Sequence, residues 1–141
     1  MIDALTALFV LCIAAVALFA ALPVVQKTGS LSGDQAKATY IATKYIEQLQ
    51  TLKTSDLTKT NLATLNLIDS GQTSLPYSFK NIPLDDGSYY SPAKMLKGAT
   101  ATLNLTSIDA NSVRCDVTIS WKSATNHQET LTTGTIIGGY K

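Results

Sequence analysis

From Ala4 to Val25 the chain carries no charged residue, and this uninterrupted apolar run constrains the molecule more than any other feature. At about 1.5 Å per residue, such a segment in helical form reaches across a hydrocarbon layer of about 30 Å. A cleavable signal peptide has a basic stretch ahead of its apolar part. Here the only flanking charge on that side is acidic, Asp3. A plain membrane anchor usually carries Lys or Arg on its cytoplasmic side. The missing positive charge favours a chain from which a basic leader has already been removed.

The residues Ile2-Asp3-Ala4-Leu5-Thr6-Ala7-Leu8-Phe9-Val10-Leu11 resemble the mature N-terminus of type IV pilins and type II secretion pseudopilins. In that family a short apolar start precedes a single acidic residue and a long apolar helix. A dedicated peptidase cuts the precursor after a glycine and methylates the new N-terminus. Asp3 stands where the family usually has Glu, and Met1 and Ile2 precede it where the family has a longer start. Ala21-Leu22-Pro23 is similar to the Ala-Leu-Pro of many major pilins, but that register would set Thr6 at the acid's place. The Ile2-Asp3 register is preferred, because an isolated acid in an apolar run needs a reason more than a proline does. The resemblance is specific as far as Gln50 and weak beyond it. It implies a structural subunit held first in the inner membrane. Pilus or secretion machinery then assembles it into a helical homopolymer at the cell surface or in the periplasm, with Met1, Asp3 and Pro23 as assembly residues. A minor pilin, a pseudopilin or a membrane-anchored envelope binding domain is the alternative.

Physical chemistry gives the acid a role. A lone carboxylate costs about 2.5–3.5 kcal/mol at a membrane-helix centre on insertion scales. Near the end of the run, headgroups or water can solvate Asp3. In a filament it would instead pair with the ammonium of a neighbouring subunit's N-terminus. Desolvation offsets much of that attraction, so the larger value of the pair is register between helices that could otherwise slide.

Beyond the run, Lys27-Thr28-Gly29-Ser30-Leu31-Ser32-Gly33 has no helical apolar period and reads as a break, with Gly29 and Gly33 as hinge residues. Asp34 can cap the next helix. Over 34–53, Ala38, Ile41, Ala42, Tyr45, Leu49 and Leu52 recur at spacings of three and four, one apolar face of a helix. Over 55–96, Pro76, Pro83 and Pro92 with Asp85-Asp86-Gly87 predict loops and short elements.

The C-terminal third alternates with the period of strands. Val113, Cys115, Val117, Ile119 and Trp121 interleave with Arg114, Asp116, Thr118, Ser120 and Lys122, and Ala101, Leu103 and Leu105 interleave with Thr102, Asn104 and Thr106. A Thr-rich strand runs from Glu129 to Ile137, with turns at Asp109–Asn111 and Ala124–His127. Three sequential strands form an antiparallel meander whose apolar face needs a cover, and the helix over 34–53 is the one available. The expected fold is α+β and pilin-like. An apolar stalk helix (1–26) continues after a hinge (27–33) into an amphipathic helix packed on the meander of a globular head (34–141).

The residues for chemistry are sparse. The net charge of +1 gives no reason to expect nucleic acid as a partner. The single His127 falls in a turn and reads as solvated. Cys12 lies in the apolar run and Cys115 on the core side of a strand, so both read as buried free thiols. No phosphate loop, nucleophile elbow or His-Glu metal motif is present, so no enzyme activity and no cofactor are expected. Asp85 and Asp86, before Gly87 and Ser88, are weak candidates for calcium, with an ordinary turn preferred. The sequon at Asn104-Leu105-Thr106 sits in a predicted strand, and no glycan is expected there.

Overall fold

The computed structural model describes residues 29–84 and 90–138. A helix, α1, occupies 29–50. After it come a 3-10 turn (Thr54–Asp56), α2 (Lys59–Thr64), β1 (Tyr77–Ser78) and α3 (Pro92–Met95). The chain then forms β2 (Thr100–Ser107), β3 (Ser112–Lys122) and β4 (Gln128–Gly138). The strands make one four-stranded antiparallel sheet in the order β1-β2-β3-β4.

The core forms where two periodicities meet. Ala38, Ile41, Ala42, Tyr45 and Leu49 of α1 are buried, the three-and-four spacing of one helix face. They join Ala101 and Leu103 of β2, then Cys115, Val117, Ile119 and Trp121 of β3, in a single cluster. Tyr45 stacks on Phe79, with ring centroids 3.8 Å apart and planes 6° from parallel. The hydroxyl of Tyr45 donates to the carbonyl of Leu67 at 2.6 Å, which satisfies a polar group that burial would otherwise penalise.

Local chemistry sets the ends of the elements. Thr58 caps α2 by accepting from the amide of Asn61 at 3.4 Å, and Pro92 begins α3, where its missing amide hydrogen costs nothing. At the β2–β3 turn the amide of Asn111 donates to the Asp109 carboxylate at 2.7 Å. At the β3–β4 turn Asn126 takes φ +61, a left-handed conformation that asparagine tolerates.

The expected fold needs correction. The long helix of the described residues is 29–50, and among those residues no helix is long and apolar enough to cross a membrane. Its exposed side carries Ser32, Gln35, Lys37 and Glu47. Gly29 and Gly33 lie inside this helix, so the break expected across them is not found there. Each glycine costs about 1 kcal/mol relative to alanine. That penalty is modest for a helix already nucleated and held by a buried face further along. Asp34, expected to cap the helix, sits within it and pairs with Lys37 at 3.2 Å. The sheet also has four strands where three were expected, because β1 contributes only two residues, too few to show a period.

Candidate functional site

Met1, Asp3 and Pro23, the residues expected to direct assembly, lie outside the described residues, as do Cys12 and the candidate calcium ligands Asp85 and Asp86. Gly29 and Gly33 are exposed on α1, and a side chain added at either would meet nothing within 4 Å. Of the expected site residues, these two glycines alone fall among the described residues, one turn apart on α1.

What it does assemble is a polar lock beneath β1. Asp69 accepts from the Ser78 hydroxyl at 2.6 Å and from the Asn81 amide at 3.0 Å, while its own amide donates to the Ser78 carbonyl at 2.7 Å. The Ser78 amide in turn donates to Gln72 Oε1 at 3.2 Å. These bonds engage both oxygens of the carboxylate and pin the segment that carries Leu67, Ile68 and Phe79 into the core. The turn residues Asp69-Ser70-Gly71 were the available sequence signal, but the partner Ser78 could not be read from local pattern.

The remaining groups with chemical potential are spread apart. Cys115 is a free, fully buried thiol. Burial, assisted by the nearby Asp116 carboxylate, pushes its pKa up to about 11, so it stays protonated at neutral pH and acts as a small apolar side chain. Burial also raises the Tyr45 phenol far above its ordinary value. His127 is exposed in the β3–β4 turn, where its carbonyl accepts from both the amide and the hydroxyl of Ser123. Among the described residues no group of three or more His, Cys, Asp or Glu side chains could hold a metal ion.

No protein-family model matches the chain, and no curated protein or solved structure is significantly similar to it.

The outer face of the sheet is an ordered polar surface. Thr100, Ser120 and Thr130 form one cross-strand row, and Thr102, Thr118 and Thr132 form the next. The Ser120 and Thr130 hydroxyls meet at 2.9 Å, those of Thr118 and Thr132 at 3.4 Å. Beyond these rows, Arg114 Nε donates to Asp116 Oδ1 at 2.9 Å, and the pair lies over Gly134. A side chain at position 134 would approach the Asp116 oxygen to 2.6 Å and the Cys115 carbonyl oxygen to 3.1 Å, so the Asp116 carboxylate would have to swing aside to admit one. Such a surface offers hydroxyls and one ion pair for contact.

Proposed function

We propose that this chain is a structural subunit of a type IV pilus-like filament, assembled through its apolar N-terminal segment. One observation carries the reading: the uncharged run from Ala4 to Val25, with a single acid, Asp3, at its start. Burying a segment of that composition against its copies stabilises a polymer at about 25 cal/mol per Å² of apolar area, with no covalent link required. An acid at a fixed depth supplies the register that apolar surfaces lack. The helix α1, later in the sequence, adds support. It buries Ala38, Ile41, Tyr45 and Leu49 in the head, which gives the run a folded domain to carry.

The test is an Asp3→Ala variant expressed in the native host. The expected result is a normal amount of membrane-associated subunit and a severe loss of filaments by electron microscopy. Filaments at wild-type abundance would overturn the role of Asp3. Composition of purified filaments then distinguishes a body subunit, which dominates the protein present, from a minor priming or tip subunit.

A further inference from the structure

We infer that β4 is a pairing edge for a second copy of this chain, antiparallel and centred on Thr133. The two edges of the sheet are unlike. One is closed by β1, only two residues long, and short edge strands are a common protection against unwanted pairing. The other edge is β4, eleven residues matched one for one to β3 from Gln128 to Gly138. An edge of that length presents a row of backbone donors and acceptors on its free side. Its sequence, Gln-Glu-Thr-Leu-Thr-Thr-Gly-Thr-Ile-Ile-Gly, has no proline and no lysine, and its register shows no bulge. Glu129 is its single charge. Most of the rest is threonine and isoleucine, which favour extended pairing. Among the described residues, the one device against strand pairing along this edge is Glu129, a charge on the inner side near its start; proline, lysine and a bulge are missing from it.

Self-complementarity selects the occupant. When two copies of β4 overlap along their whole length, Thr133 faces Thr133, Leu131 faces Thr135 and Glu129 faces Ile137. The one charge of the strand never meets its own copy, a juxtaposition that would be destabilising. On the outer side Thr130 faces Ile136, which stands 63% exposed in the single chain. Directly opposed residues point to the same side, so both α1 helices stay on one face and the hydroxyl rows run on across the joint. The arrangement is an isologous two-fold, in which one surface serves both partners. It is independent of the filament reading, because it uses neither the apolar run nor Asp3.

The experiment uses the full chain in mild detergent with Cys12→Ser, so that the native N-terminal thiol cannot cross-link. Light scattering should give the protein mass of a dimer. Thr133→Lys, which sets like charges opposite each other, should give a monomer with the parent's circular dichroism and a thermal midpoint that no longer rises with protein concentration. Thr133→Cys should form an interchain disulfide under mild oxidation, because directly opposed side chains have Cβ atoms about 4.5–5.5 Å apart. Thr102→Cys, on the outer face of β2, should not. Thr133→Cys remaining monomeric on oxidation, or Thr102→Cys cross-linking to the same extent, overturns the proposal. Should Thr133→Lys fail to fold, the two cysteine variants decide. A monomeric parent would also overturn it, whether or not its edge captures an unrelated extended peptide.

Discussion

The two faces of the sheet are made from alternate residues of the same strands, yet they do different work. On the inner face Ala101, Leu103, Cys115, Val117, Ile119 and Trp121 are buried beneath α1. On the outer face Thr100, Thr102, Thr118, Ser120, Thr130 and Thr132 are half-buried or exposed, and their hydroxyls bond across the strands at Thr102, Thr118–Thr132 and Ser120–Thr130. Stability is therefore concentrated on one side. The other side can change its contacts without a large effect on folding. That division suits a protein whose proposed task is to present many copies of one surface.

The largest effect should come from breaking the inner face. Ile119 has no exposed surface and sits at the centre of the helix–sheet cluster, opposite Ala101 on β2 and Leu131 on β4. Ile119→Ala should lower stability by about 2–5 kcal/mol, the lost transfer free energy plus the cavity left behind. Urea unfolding monitored by tryptophan fluorescence would measure it, since Trp121 is buried in the same cluster. A loss no greater than that of an outer-face substitution would remove the distinction between the faces.

A smaller effect on the same face should appear at alkaline pH. The Cys115 thiol is raised from 9.0 to about 11 in the folded chain. Above pH about 9 the unfolded chain gives up this proton while the folded chain keeps it, so the unfolded state binds fewer protons and stability falls as pH rises. The contribution is fully present below pH 9 and is lost on the way to pH 11. At most it amounts to about 3 kcal/mol for a shift of this size. Cys115→Ala should flatten the decline in that window, leaving the part that Tyr45 contributes, whose phenol is also raised. An unchanged decline in Cys115→Ala would show that the thiol does not control it.

The faces also explain what could be read from the sequence. β3 was legible because Val113 to Lys122 alternates without error, and α1 because Ala38, Ile41, Tyr45 and Leu49 keep their spacing. Both patterns are local, and both record which side is buried. The helical conformation at Gly29 and Gly33 was not legible, because propensity argued for a break and the cooperativity of the helix prevailed. β1 was hidden because Tyr77 and Ser78 become a strand only by pairing with Leu103 and Thr102, a contact with no local signature. The same holds for the Asp69–Ser78 bond and the Tyr45–Phe79 stack, which join residues apart in the chain. The residues expected to direct assembly, Met1, Asp3 and Pro23, were read from composition alone and lie outside the described residues.

The smallest effect, and the sharpest test of the comparison, comes from exchanging shape-matched side chains at two adjacent positions. Val117 points inward with no exposed surface, and Thr118 points outward beside Thr132. Valine and threonine differ by a methyl for a hydroxyl, so strand propensity and volume barely change. Val117→Thr buries a hydroxyl among Leu103, Ile119 and their neighbours and should cost about 1–3 kcal/mol. Thr118→Val removes only the 3.4 Å contact with Thr132, while the Thr118 carbonyl that Thr102 bonds is kept. Its effect should lie within about 0.5 kcal/mol of zero, in either direction. Because the two residues are adjacent in sequence, any difference between the variants comes from the face and not from the strand. Equal losses would mean that the outer hydroxyl rows hold the sheet together as firmly as the core does, and the outer face would then not be free to serve as a contact surface.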